Sequence, residues 1–413
     1  MAVLDQLTSQ QAIDLENKYG AHNYHPLPVV LSRGEGVHVW DVEGKQYYDF
    51  LSAYSAVNQG HCHPKIVAAM TSQAQTLTLT SRAFYNDMLG KYEKYASQLF
   101  NFDKLLPMNT GAEAVETALK LCRKWAYEVK GIDENEAEIV VCENNFHGRT
   151  TTIISFSNDP VARKNFGPYT NGFIKIEYDN LKALEDTIKN NANVAGFLVE
   201  PIQGEAGVYV PSEGYLSKAK AICEKYNVLF IADEVQTGIA RTGKMLAVDH
   251  ENVKPDILIL GKALSGGAYP VSAVLANDNV MNVIKPGNHG STFGGNPIAA
   301  AVAIAALDVV RDENLANNAE ELGQLFRSEL SKFIETSSIV NTVRGKGLLN
   351  AILINDTEES DTAWNICLKL RDNGLLAKPT HGNIIRFAPP LVMTKEQLLD
   401  CVSIITKTLK AFE

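Results

Sequence analysis

Two carboxylates and one amine stand where apolar runs of this chain stop. The segment Val228-Leu-Phe-Ile-Ala-Asp-Glu-Val-Gln-Thr-Gly238 reads as a strand that delivers Asp233 and Glu234 at its C-terminal end. In open α/β sheets that is the end at which ligands bind. An isolated Asp-Glu pair, however, more often ends a strand or caps the next helix. A second run, Asp256-Ile-Leu-Ile-Leu-Gly-Lys262-Ala-Leu-Ser-Gly-Gly267, finishes in a lone lysine followed by glycines. A lysine so placed has no helix face along which to reach water, and burial moves its amine toward the neutral, nucleophilic form. The blander alternative is an ordinary ion pair.

An amine on one strand end and an acid on another are the two groups that pyridoxal phosphate requires. The amine bonds the cofactor aldehyde as a Schiff base, and the acid keeps the ring nitrogen protonated so that the ring accepts electrons. Lys262 and Asp233 suit these roles. The phosphate needs a cradle as well, and Asn109-Thr-Gly111-Ala112-Glu-Ala-Val-Glu-Thr offers a glycine turn opening a helix, where backbone amides and the helix dipole hold an anion. Many helices start this way, so that signal is weak alone.

These residues need rigid elements behind them. From Glu138 onward, short apolar runs at 139–142, 194–199, 228–232, 257–260 and 273–276 alternate with helical spacing, which predicts strand-helix units in a mostly parallel sheet. Helices are expected over 112–127, capped by Thr110 or Asn109, and over 215–226. After about residue 300 come an Ala-rich helix, polar helices at 319–334 and 395–411, and strand-like runs at 347–354 and 384–388, the pattern of a smaller α+β domain. Gly36 to Asp41 and Gln46 to Phe50 around Glu43-Gly44 read as a hairpin.

At 413 residues the chain is long enough for two or three domains. A net charge of -10, with acids and bases well mixed, argues against nucleic acid as a partner. No apolar stretch reaches the roughly 18 residues of a membrane span. The first 16 residues show neither a basic start nor an apolar signal region, and the six cysteines have no paired spacing. Free thiols in a reducing compartment, by default the cytoplasm, are the expectation.

Asp233-Glu-Val-Gln-Thr-Gly-Ile-Ala-Arg-Thr-Gly243, Leu260-Gly-Lys262-Ala-Leu-Ser-Gly-Gly267, Asn58-Gln-Gly-His-Cys-His-Pro64 and Asn145-Phe-His-Gly-Arg149-Thr together resemble the class III aminotransferases, from about Tyr19 to the C-terminus. Gly20-Ala-His-Asn-Tyr24-His-Pro, Leu51-Ser-Ala-Tyr54-Ser-Ala-Val-Asn-Gln-Gly60 and Glu200-Pro-Ile-Gln-Gly-Glu205-Ala-Gly are similar to the branch of that family acting on ornithine. The resemblance implies a fold type I α/β transferase: a large domain at 46–299 with a mostly parallel sheet flanked by helices, a small α+β domain at 300–413, and a segment at 1–45 packing with the small one. It implies transfer of the terminal amino group of ornithine to 2-oxoglutarate, giving glutamate 5-semialdehyde and glutamate.

By the same resemblance, Lys262 carries pyridoxal 5'-phosphate and Asp233 pairs with its ring nitrogen. Phe146 stacks on the ring, Val235 packs its other face, and Gln236 bonds the phenolic oxygen. Gly111 and Ala112 hold the phosphate, with Ser291 and Thr292 reaching in from a second subunit, which makes the active unit a homodimer or larger homo-oligomer. Ornithine and 2-oxoglutarate together need two carboxylate-binding arginines, one of them hideable, a task suited to the planar fork of arginine. The resemblance places Arg149 on the α-carboxylate of ornithine, with Tyr24 and Tyr54 shaping that end. Arg386 is covered by Glu205 in the first half-reaction and released in the second to take the α-carboxylate of 2-oxoglutarate.

Two other signals carry less weight. His61-Cys62-His63 could suggest a metal, yet neighbouring ligands on a strand point oppositely and no second cluster supports them, so no metal is expected. Gly238-Ile-Ala-Arg-Thr-Gly243-Lys244-Met245 nearly spells a phosphate-binding loop, but Met245 stands where Ser or Thr should ligate magnesium, and Asp233 and Glu234 would repel phosphates.

Overall fold

A computed structural model describes residues 7–413, so residues 1–6 of the N-terminal segment lie outside the described residues. The expected hairpin is present. β1 (Leu31–Glu35), β2 (His38–Asp41) and β3 (Gln46–Asp49) form an antiparallel meander, with β2 and β3 joined at the Glu43-Gly44 turn.

The central sheet holds β4 (Lys104–Met108), β5 (Glu138–Cys142), β6 (Phe173–Ile176), β7 (Val194–Val199), β8 (Leu229–Asp233), β9 (Ile257–Leu260) and β10 (Ser272–Ala276). Their order is β4-β10-β9-β8-β7-β5-β6. All contacts from β6 through β9 are parallel, and β10 alone runs against its neighbours. Both faces of this sheet are covered. Phe230 and Ala232 of β8 enter one apolar cluster while Leu229 and Ile231 enter another, the reason these strands read as continuous apolar runs. The two strands that the pattern missed, β4 and β6, are the sheet edges. Pro107 interrupts β4, which is tolerable only where a ladder hydrogen bond is not needed.

Five strands follow toward the C-terminus: β11 (Val340–Lys346), β12 (Leu349–Ile354), β13 (Leu375–Leu376), β14 (Lys378–Thr380) and β15 (Ile384–Phe387). β11, β12, β15 and β14 form an antiparallel sheet, and helices Leu315–Ile334, Thr362–Asp372 and Lys395–Lys410 accompany it. β13 instead pairs in parallel with β3, tying the N-terminal meander to the C-terminal part of the chain. The Ala-rich helix, Pro297–Asp312, packs on helix Pro64–Thr76 and so crosses residue 300 without a break.

Candidate active site

The chain segments leaving the C-terminal ends of β4, β5, β7, β8 and β9 meet around one cavity. Gly111, Ala112, Phe146, Asp233, Val235 and Lys262 line it, as do His147, Glu200 and Gln236.

The cradle follows from capping. Thr110 ends the extended approach from β4, and its hydroxyl accepts the amide of Glu113 at 3.2 Å. The Glu113 carboxylate reaches back to the amides of Thr110 and Asn109, at 3.0 and 2.9 Å. This reciprocal cap leaves the amides of Gly111 and Ala112 without a partner among the described residues, at the positive end of helix Gly111–Trp125, where both residues line the cavity. A methyl group on Gly111 would come within 2.9 Å of Val235, so glycine lets the helix start sit directly against that side chain.

Asp233 ends β8, and its two oxygens have different partners. Oδ1 accepts the amide of Val235 at 3.0 Å, and Oδ2 lies 2.6 Å from Nδ1 of His147. The His147 side chain is fully buried, and its Nε2 has no partner among the described residues. Burial disfavours the imidazolium, but the hydrogen bond and charge of Asp233 outweigh it and raise the His147 pKa.

Lys262 follows β9 with a left-handed backbone, φ 44°, a strained conformation for a side chain of this size. Its amine makes no hydrogen bond or ion pair among the described residues. Burial lowers its pKa to about 8, with Arg386 pulling the same way and Glu205 opposing. An unpartnered amine suited to an aldehyde, two free amides suited to a phosphate, and a buried acid suited to a ring nitrogen fit pyridoxal phosphate.

Arg386 lies on β15 and is 2% exposed. Its Nη1 donates to Glu205 Oε1 at 2.7 Å and to Gln236 Oε1 at 3.2 Å, while Gln236 Nε2 donates to Glu205 at 2.8 Å. Burial alone would raise the Glu205 carboxyl, yet the Arg386 charge, followed by that of Lys262, holds it down at about 2. The Tyr54 ring covers the guanidinium from 4.9 Å. Tyr54 arrives there on four successive residues of positive φ, Ser52 to Ser55 at 48°, 47°, 61° and 70°. Asp49 Oδ1 secures the entry by accepting the amides of Leu51 and Ser52.

Arg149 is exposed, lies 5.8 Å from the Phe146 ring, and has no ion pair among the described residues. It lines a cavity adjoining the first, together with Glu205. Tyr24 is 71% exposed and shares a third, outer cavity with Tyr54 and Lys378. Ser291 and Thr292 line none of these, and Ser291 instead accepts from Asn109 Nδ2 at 2.8 Å within its own chain. Glu234 turns away from the cavity to Thr237 and the amide of Val248, and burial raises it to about 7.

His147 and Glu200 received no role from the sequence. Both sit inside motifs that were legible, and Glu200 obeys the rule that singled out Asp233. It directly follows β7, whose register with β8 pairs Val199 with Ala232, so the two acids emerge side by side. Glu200 Oε2 accepts the amide of Phe146 at 3.0 Å, and burial raises its pKa to about 8.

The other motif segments serve structure. His61 binds Asp49 and His63 binds Glu313, so the two rings diverge. In the Gly238–Met245 loop, the amides of Gly238, Ala240, Arg241 and Gly243 are spent on nearby carbonyls. The fully buried Arg241 of that loop joins Asn58 to the carbonyls of Leu348 and Pro389.

Residues 19–409 match the family described as Aminotransferase class-III. The chain is 65% identical to an ornithine aminotransferase, mitochondrial, of Drosophila melanogaster, over 95% of this chain and 90% of the relative. A structure titled as the acetylornithine aminotransferase of Elizabethkingia anophelis superimposes with a TM-score of 0.91 at 67% identity, covering 98% of this chain and 100% of that one. The ornithine aminotransferase of Toxoplasma gondii gives 0.96 at 49% identity, over 98% and 96% of the two chains. With a lysine, an acid and a free helix terminus arranged for one cofactor, and with this likeness over nearly its whole length, the chain belongs to the class III aminotransferases, enzymes dependent on pyridoxal phosphate.

Proposed function

We propose that this enzyme transfers the terminal amino group of ornithine to 2-oxoglutarate. The asymmetry of the two arginines carries the reading: Arg149 is open and has no ion pair among the described residues, whereas Arg386 is masked by Glu205. A first substrate with one carboxylate far from its reacting amine satisfies that arrangement. Ornithine places its α-carboxylate on Arg149, between Tyr24 and Tyr54, and presents its δ-amine toward Lys262. 2-Oxoglutarate then needs both arginines, its distal carboxylate on Arg149 and its α-carboxylate on an Arg386 that Glu205 has vacated.

Pyridoxal phosphate, when bound, supplies an electron sink for the pair released from the substrate C–H bond. Lys262 Nζ holds the cofactor between turnovers and moves the proton at the amine-bearing carbon. Asp233, held by His147, keeps the proton on the ring nitrogen. Phe146 and Val235 would hold the ring from either side, Gln236 would offer it a hydrogen bond, and the amides of Gly111 and Ala112 would hold the phosphate. Thr292 and Ser291 complete that phosphate site from a second subunit, in a homodimer. Exposure of Thr292 is compatible with this crossing.

The division into 1–45, 46–299 and 300–413 remains part of the proposal, although β3, which pairs with β13, starts just past its first bound and helix Pro297–Asp312 spans its second. No helix of the described residues is long and apolar enough to cross a membrane. Free cysteines, five of them buried, suit a reducing compartment, and we retain the cytoplasm, although the fly relative is named mitochondrial.

A second reading is N-acetylornithine as amine donor, favoured by the Elizabethkingia likeness. Single-turnover rates with ornithine, N-acetylornithine and γ-aminobutyrate separate the two. Ornithine is expected to be fastest, and a preference for N-acetylornithine would overturn the proposal.

A further inference from the structure

One hairpin holds Glu205 by both of its ends. β14 and β15 pair so that Thr380 faces Ile384 and Lys378 faces Arg386. From β15, Arg386 grips the Glu205 carboxylate at 2.7 Å. From β14, the Thr380 hydroxyl donates to the Glu205 main-chain carbonyl, also at 2.7 Å.

The turn that carries Glu205 is tied elsewhere too. The amides of Gly207 and Val208 both donate to the Gly204 carbonyl at 3.2 Å, and Arg344 Nε donates to the Gly207 carbonyl at 2.8 Å. Gly207 and Val208 have positive φ, 119° and 57°, so the segment folds back on itself instead of running on as a strand. The hairpin is anchored in turn: Asn383 bonds its amide to the His381 carbonyl and its side chain to the Asp356 carbonyl.

We propose that Thr380 is a positioning residue for substrate selection, fixing the main chain of Glu205 so that uncovering Arg386 is a rotation of one side chain about a stationary pivot. This rests on the reading of Glu205 as the cover of Arg386. A carboxylate on a long side chain has many rotamers, and only an immobile Cα makes the closed one the default when no dicarboxylate is present. Without the Thr380 bond the cover loosens, and Arg386 becomes accessible to glutamate during the half-reaction meant for ornithine.

The test compares Thr380→Ala, Thr380→Ser and Glu205→Ala, all as holoenzymes, by two measurements. The first is the ratio of single-turnover rates with glutamate and ornithine, read from the absorbance of bound cofactor, so that only loaded protein contributes. The second is glutarate binding without turnover. One lost hydrogen bond corresponds to about a two- to tenfold change. Thr380→Ala is expected to raise the glutamate-to-ornithine ratio and tighten glutarate by that factor, while Thr380→Ser stays at the wild-type values and Glu205→Ala moves further in the same direction. If Glu205→Ala shifts both readouts and Thr380→Ala shifts neither, the pivot is refuted while the cover stands. If Glu205→Ala shifts neither, the cover itself is refuted, and the pivot with it. A Thr380→Ser variant as altered as Thr380→Ala also counts against the pivot, since serine retains the donor.

Discussion

Nδ1 of His147 lies 2.6 Å from Oδ2 of Asp233, and neither group is open to water. A buried carboxylate next to a cofactor nitrogen is useful only if it stays aimed, and the hydrogen bond to His147 fixes Oδ2 while the Val235 amide fixes Oδ1. Charge-assisted hydrogen bonds of this kind contribute about 1.5–3 kcal/mol. His147→Ala is therefore expected to weaken pyridoxal phosphate retention by about ten- to a hundredfold, with His147→Asn recovering part of the loss. Titration of the apoenzyme with the cofactor measures this, and unaltered affinity in the alanine variant would remove the role.

Lys262 gives a pH dependence of definite sign. Its pKa in the folded chain is about 8, below the ordinary 10.5, so the folded form releases the proton first. Capture of the cofactor by apoenzyme should accelerate as pH rises through about 8 and then level off. Because the unfolded chain binds the extra proton between about 8 and 10.5, the stability of wild-type apoenzyme relative to Lys262→Met should rise across that window. A flat difference over the same range contradicts the burial of this amine.

The Gly111 contact with Val235 predicts a coupling. Gly111→Ala puts a methyl group 2.9 Å from the valine, an overpacking that costs about 1–3 kcal/mol. Cofactor affinity should fall accordingly, and adding Val235→Ala should restore part of it. Strict additivity of the two changes, seen in a double-mutant cycle, would mean that the side chains do not touch.

Tyr54→Ile removes the hydroxyl and the ring that covers Arg386. The expected result is a severalfold fall in kcat/KM for ornithine relative to γ-aminobutyrate, which lacks the α-amine and carries its carboxylate one carbon closer to the reacting amine. Equal losses on both substrates would leave Tyr54 a packing residue only.

Much of this arrangement was legible because the central strands are buried on both faces. Val194–Val199 and Ile257–Leu260 are apolar throughout, so the first charged residue after each such run stands at the sheet's working edge. Asp233 and Lys262 were found that way, and Glu200 was equally findable. Edge strands carry no such signal: Lys104–Met108 mixes lysine and proline with its apolar residues, and Phe173–Ile176 is half-buried. The cover on Arg386 was beyond pattern reading, because Glu205, Gln236, Tyr54 and Arg386 come from four distant segments and only the resemblance linked any of them. The left-handed turn at Ser52–Ser55 was hidden for another reason. It contains no glycine, the residue by which such a backbone normally announces itself.

The most direct test of the account is chemical. Holoenzyme is reduced with borohydride, digested, and the cofactor-bearing peptide identified by mass. The account predicts the label on Lys262, with its loss when ornithine is added before the reductant. A label on another lysine, or none, contradicts it.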